Sequence, residues 1–338
     1  MGTTPFDIES EPVAVAEAIL STDAASARSE IARCNSRKVL KRIALVVITV
    51  PTLGVLWALG DLVLTGFVAW KFILLGLFYV LTLFGVEAGF HRLISHGAYA
   101  TPLRDLIVVL GSMAAQGPAI FWAATHRQHH AFSDENGDPH SPRRSGPGSI
   151  GVARGFFHGH FGWLLKTDQV DWNRFAPDLI KDRRLFALNQ AYPIWVVLGL
   201  ALPAGLGAFA EVRLGGGLLM GAWNGFIWGG LARIFLVHHA VWAVNSVCHV
   251  QGRRPLTCKG TAGNVAWLAL PTLGGAWHNN HHAFPFTADN QFAWWQVDCS
   301  GLIIQSLRSV GLVTHLKKPS NAAIKTRKSD AQIGRFRT

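Results

Sequence analysis

Four apolar stretches, at residues 43–59, 72–90, 192–209 and 215–236, are long enough to cross the roughly 30 Å hydrocarbon core of a bilayer as helices. Inside lipid a lone chain must satisfy its own backbone hydrogen bonds, which helices do and open sheets do not. The stretches therefore predict an all-α integral membrane protein. Composition agrees: 50% of the residues are hydrophobic and only 15% are charged, where a soluble domain carries about a quarter. The formal net charge of +11 would suit either nucleic acid or an anionic lipid surface. With so much apolar sequence, membrane lipids are the expected partner and nucleic acid is not.

Charge placement sets the orientation. A basic run at 28–42 precedes the first stretch, and no secretory signal stands before it. The loop after the first stretch carries Asp61, and the loop after the third carries Glu211 and Arg213. The middle segment 141–186 is rich in cations: Arg143, Arg144, Arg154, Lys166, Arg174, Lys181, Arg183 and Arg184. The tail holds Lys317, Lys318, Lys325, Arg327, Lys328, Arg335 and Arg337. Under the positive-inside rule the spans form two hairpins with both termini cytoplasmic, at the inner membrane if the cell is bacterial. The chain divides into a cytosolic segment 1–42, a main domain 43–315 and a basic tail 316–338 expected to be disordered at the lipid surface. Cys34, Cys248, Cys258 and Cys299 form no C-x-x-C pair and read as free thiols.

Two further apolar runs do not qualify as spans. Residues 106–122 contain Gly111, Ser112, Gln116, Gly117 and Pro118, and residues 264–277 are short and contain Pro271. Both read as interfacial or re-entrant segments.

The histidines carry the chemistry. Nine of the fifteen fall into four groups: His91 and His96; His126, His129 and His130; His249; and His278, His281 and His282. Spacings of three and four place each H-x-x-H-H triplet on one helix face, where its imidazoles can converge on one point. His91 and His96 lie roughly 140° apart around an α-helix, so the helix is expected to end or turn between them, with Gly97 as terminator. Asn245 precedes His249 by one turn on the same face. A lone histidine in an apolar chain is usually a core residue; two such triplets and an H-x4-H are a metal site. Imidazole binds several transition metals, and nine ligands exceed one four-coordinate site, so two metal ions are the economical reading. All four groups must then share one side of the membrane, which requires that neither 106–122 nor 264–277 cross. The fourth helix, run on to His249, would be about 50 Å long and project its end beyond the bilayer. A cytosolic helical cap would then hold a histidine-rich dinuclear site above four transmembrane helices.

The segments H-R-L-I-S-H at 91–96, H-R-Q-H-H-A-F-S-D at 126–134, D-P-H-S-P at 138–142, N-S-V-C-H at 245–249 and W-H-N-N-H-H-A-F-P at 277–285 resemble the motifs of acyl-CoA Δ9 desaturases, the bacterial branch above all. The resemblance runs over about 43–313. It implies that both metals are iron (zinc can replace it in purified protein), with the nine clustered histidines as ligands and Asn245 holding a water. It also implies O2 as co-substrate, a fatty acyl substrate on coenzyme A or a lipid, and formation of a cis double bond. A related histidine-box hydroxylase shares the ligand chemistry. No haem module, dinucleotide fingerprint or ferredoxin cysteine run is present, so electrons come from a separate donor such as ferredoxin, cytochrome b5 or a reductase. Phe156, Phe157, Trp163, Trp223, Trp228 and Trp242 could wall a tunnel for the acyl chain. The sequence departs from the family where an acidic residue usually stands three positions before His278; here it is Gly275. Asp134 and Asp138 remain as carboxylates that could hold the ligand imidazoles.

Overall fold

The computed structural model describes residues 11–143, 145–146, 148–166 and 170–335, with side chains from 37 to 328 within those ranges. Arg144 and Arg337 lie outside the described residues. The described chain is helical throughout, with isolated β-bridges but no strand.

Among the described residues, four helices are long and apolar enough to cross a membrane: Arg37–Thr65, Ala69–Ser95, Tyr192–Arg213 and Leu218–Val250. The first is the C-terminal part of a longer helix, Glu11–Thr65, which runs through the basic residues 37–42 into the apolar stretch without a break. The four are not equivalent. In the most apolar window, 56% of the second span and 72% of the fourth are buried, against 22% and 17% for the first and third. The second and fourth therefore form the inner pair. The first and third turn Leu53, Leu56, Ile194, Val197 and Phe209 outward, as side chains facing lipid do. The third and fourth pack backbone to backbone: a Cβ on Gly225 would lie 2.1 Å from the Pro203 carbonyl oxygen. Small residues allow such contact between membrane helices.

Both inner spans change winding along their length. The second becomes a π-helix over Gly85–Ser95, and the fourth does so over Phe226–Ala232. The first of these corrects the reading of His91 and His96. The helix does not end between them; its i→i+5 winding brings residues five apart close to alignment. Their ring centroids lie 5.4 Å apart. Gly97 follows in the left-handed region (φ 55°) and ends the helix as expected.

Run 106–122 folds back on itself. Helix Arg104–Ser112 lies against the π-segment so closely that a Cβ on Gly85 would sit 2.1 Å from the Gly111 amide nitrogen. The chain then turns through Ala115 and Gly117, both at positive φ, into helix Ala119–Phe132. The carbonyls stranded at this turn are claimed by the fourth span. Fully buried Arg233 donates to Met113 O at 2.7 Å, and His238 Nε2 faces Ala114 O at 3.0 Å and Ala115 O at 3.1 Å. His238 thus serves the re-entrant turn, not the metal site. Run 264–277 also fails to span: it holds one helical turn, Ala266–Ala269, then a reversal at Leu273 and Gly274 before helix His278–Ala283.

The tail expected to be disordered forms helix Asn321–Arg335. Arg327 donates to the Thr257 carbonyl at 2.9 Å and lies over the Phe284 ring at 5.0 Å. Ala323 and Ile324 pack beside Leu256 and Phe284, which gives this basic segment an apolar face to hold on to.

Candidate metal centre

All nine clustered histidines come together from elements far apart in sequence. They form two sets. In the first, His91, His96, His126 and His281 place one ring nitrogen each within 4.8 Å of the others, and His130 joins through His281, Nε2 to Nε2 at 2.9 Å. In the second, His129, His249, His278 and His282 do the same. Each triplet is therefore divided, which corrects the expectation that its three members share a point. Residues four apart stay together, His126 with His130 and His278 with His282; the residue at the third position, His129 or His281, crosses to the other set. A step of three falls short of a turn by about 60° and a step of four overshoots by about 40°, so two neighbouring points can draw on one helix face.

Facing Nε2 atoms are 2.8–3.0 Å apart for His96–His126, His91–His281, His249–His278 and His278–His282, and 3.3 Å apart for His129–His282. Two imidazoles bound to one ion by bonds of about 2.1 Å at a right angle would stand about 3.0 Å apart, so the donor set fits a transition metal in each cluster.

Carboxylates on the far ring nitrogens favour this arrangement. Glu87 Oε1 meets His91 Nδ1 at 3.0 Å, Asp138 Oδ2 meets His129 Nδ1 at 2.9 Å, and Asp134 Oδ2 meets His249 Nδ1 at 3.0 Å. An anionic acceptor requires the proton on Nδ1, which leaves each Nε2 with a bare lone pair aimed into its cluster. Burial would raise the carboxyl of Asp134, but the hydrogen bonds and charge of His249, with Ser141 and Thr261, hold it well below the usual range. Asp138 is also held down against its burial, chiefly by His129. Among the imidazoles outside the spans, burial and then neighbouring rings push His126, His130, His278, His281 and His282 far below the usual histidine value. They are neutral at physiological pH, as ligands must be. The Nδ1 atoms of His278 and His281 are buried and find no protein partner.

Glu87 was not singled out in the sequence, although its position four residues before His91 is a one-turn signal. Its carboxylate occupies the space beside Gly275: a Cβ there would lie 3.1 Å from Glu87 Oε2. The acid missing ahead of His278 is thus matched by one reaching in from the second span. Glu87 also accepts from Arg92 Nη2 at 3.0 Å, and fully buried Arg92 forms a two-pronged pair with Asp298 at 2.7 and 3.0 Å. His140 is buried with its ring 4.4 Å from that of His129. Asn245 is half-buried one turn before His249. Arg143, from the basic middle segment, caps the fourth span by donating to His249 O at 3.0 Å.

The aromatic candidates separate. Trp163 packs on His140, while Phe156 and Trp242 pack on His160, all near the clusters. Trp223 packs on Trp57, and Trp228 donates to Asp61, so these two line the opposite end of the spans and wall no tunnel at the metal centre. Trp122, not anticipated, stacks on His126 with centroids 5.0 Å apart.

Four membrane helices carrying two buried polyhistidine clusters define a membrane protein with a histidine-rich metal site. The family model for fatty acid desaturases matches residues 67–298. The chain is 36% identical over 283 residues to a hex-5-enoyl-[acyl-carrier protein] acetylenase of Moorena producens, covering 82% of this chain and 87% of that relative. It is 35% identical over 237 residues to an sn-1 stearoyl-lipid 9-desaturase of Anabaena variabilis, covering 69% and 78%. It is 33% identical over 260 residues to an acyl-CoA C20 Delta5-desaturase of Anemone leveillei, covering 75% and 76%. The chain belongs to the fatty acid desaturase family and is an oxidoreductase acting on fatty acyl chains.

Proposed function

We propose that this protein is an O2-dependent acyl-CoA Δ9 desaturase that forms a cis double bond at a di-iron centre, with electrons from a separate donor protein. The observation that carries this reading is the convergence of nine imidazoles into two sets of facing Nε2 atoms, with carboxylates on the far side of three rings. His91, His96, His126, His130 and His281 would hold one iron, and His129, His249, His278 and His282 the other, with Asn245 contributing through a water. When bound, iron supplies the O2 activation needed to attack a methylene that has no acidic proton and no leaving group.

The chain's own residues do the rest. Glu87, Asp134 and Asp138 keep the protons of their partner imidazoles on Nδ1. Burial keeps the imidazoles outside the spans neutral and excludes bulk water. The apolar walls that include Trp242 and Phe156 can align an acyl chain so that one carbon pair lies beside the clusters. Motif likeness and relatives named as 9-desaturases support the Δ9 position; the acyl-CoA carrier rests on motif likeness, since relatives are named for carrier-protein, lipid and coenzyme A substrates. Both termini and the metal centre would face the cytoplasm of a bacterial inner membrane.

The test is fatty acid profiling by gas chromatography–mass spectrometry, in cells lacking their own desaturase and expressing this protein beside a His130→Ala variant. A Δ9 cis-monoenoic acid that disappears in the variant is the expected result. A double bond elsewhere overturns the Δ9 assignment, and a hydroxylated product reassigns the protein to the related hydroxylases.

A further inference from the structure

The two clusters differ in how they meet the surface. His129, His249, His278 and His282 are all buried. In the other set His96 is half-buried and forms part of the wall of a surface cleft of about 350 Å³. The cleft is also lined by Gly97, Arg104, Arg127, Asp178 and Asp182. Its acids are already matched: Arg127 grips Asp178 at 2.6 and 3.0 Å, and Arg104 Nη1 meets Asp182 at 2.5 Å. Asp105, at the neighbouring cleft, is held by Arg104 and Arg184. The rim adds cations. Lys181 and Arg183 are exposed beside Asp182, and Lys317 reaches to 3.9 Å from where a Cβ on Gly97 would stand. The surface over His96 is therefore net positive, and His96, a member of the open cluster, is part of the cleft's lining.

We infer that this cleft is the docking site for an acidic one-electron carrier protein, which delivers electrons to the centre across the His96 edge. The inference rests on the desaturase reading above. That reaction removes two hydrogens from adjacent methylenes; with two electrons and two protons from outside, they reduce one O2 to two waters. Two one-electron deliveries per turnover are thus required, and the carrier supplies both. Electron transfer needs a short path from the protein surface, and His96 Nε2 lies 2.8 Å from His126 Nε2. A positive rim steers an acidic partner to that point and speeds the encounter at low salt. Leu93, Ile94, Leu179 and Leu185 also line the cleft but are buried, so the side chains it presents at its mouth are the charged ones, which suit a protein surface better than an acyl chain.

The experiment uses the iron-loaded full chain in detergent, a plant-type [2Fe–2S] ferredoxin as the acidic carrier, and the charge reversal Lys181→Glu/Arg183→Glu. Three quantities are measured: ferredoxin affinity as a function of salt, ferredoxin-driven turnover, and product yield in a single turnover after dithionite reduction. The expected result is at least tenfold weaker binding and slower ferredoxin-driven turnover in the reversal, wild-type behaviour in Lys181→Arg/Arg183→Lys, and an unchanged dithionite yield in both. Equal ferredoxin binding by wild type and reversal overturns the inference, as does absence of salt-sensitive binding to the wild type. Loss of acyl carrier protein binding in the reversal, with ferredoxin binding intact, overturns it in favour of a substrate-carrier site. No product from dithionite-reduced wild type overturns the desaturase reading itself.

Discussion

The two histidine clusters share the triplets at 126–130 and 278–282, one adding His91 and His96 and the other His249, yet their surroundings differ. The cluster of His129, His249, His278 and His282 is sealed, and two of its rings rest on Asp138 and Asp134. Asp134 takes its other hydrogen bonds from the Ser141 and Thr261 hydroxyls and the Thr261 amide, and Asp138 from the amides of Asp134 and His140. The cluster of His91, His96, His126, His130 and His281 opens at His96, and the carboxylate on His91 is shared with Arg92. Anionic partners raise the basicity of two rings in the enclosed set, while Arg92 offsets part of the charge of Glu87 in the open one. On the docking proposed above, a protein that takes electrons from a partner yet keeps water from its chemistry needs one exposed edge and one dry side, and the two clusters would divide these demands.

The comparison can be broken by substitution. The largest effect is expected from losing a ligand in the enclosed cluster. His282→Ala should abolish desaturation and release metal, exceeding the roughly 100-fold that marks the upper end for an outer partner. Metal analysis beside product analysis checks it. Next come the carboxylates. Asp138→Asn and Asp134→Asn should weaken metal binding by about 10- to 100-fold, whereas Glu87→Gln should cost about tenfold because Arg92 already offsets its charge. Competition titrations with a chelator separate the two, and equal losses at all three positions would remove the proposed asymmetry. Gly275→Glu, which crowds Glu87, should behave like Glu87→Gln in the same assay.

Rates sharpen the contrast further. Chelation of the loaded protein should be biphasic, with the open cluster stripped first; a single phase would mean that His96 grants no access. The smallest effect concerns pH. Burial and neighbouring rings hold His126, His130, His278, His281 and His282 far below their unfolded value near 6.5. The metal-free folded chain then binds fewer protons than the unfolded chain just below that value. Its stability should fall as pH drops through about 6.5 and continue falling toward the folded values. Thermal melts of stripped protein between pH 7 and 5 should show a steady decline of the midpoint, and a flat profile would contradict the buried neutral cluster.

The spans, the two runs that do not cross and the nine histidines were legible because each depends on local pattern: length of apolar sequence, breaks at Gly and Pro, and spacing along a helix. The sorting of the histidines was not. Helical periodicity shows that His126, His129 and His130 share a face but not that two adjacent points divide it. The π-winding that aligns His91 with His96 leaves no mark in spacing, because it follows from the backbone's contact with helix Arg104–Ser112 across Gly85 and Gly111. The tail's helix depends on an apolar surface near Phe284 that exists only once helix His278–Ala283 and the turn after it have folded.

By itself, then, the sequence determined the membrane class, that the histidines gather in one place and which of them could bind metal, since hydrophobicity and helical period are properties of short segments. Only the tertiary structure decided which imidazoles face one another, that Glu87 fills the place beside Gly275, and that His96 meets the surface while His249 does not. Those outcomes depend on contacts between residues up to about two hundred positions apart, such as His91 with His281, and no local pattern encodes them.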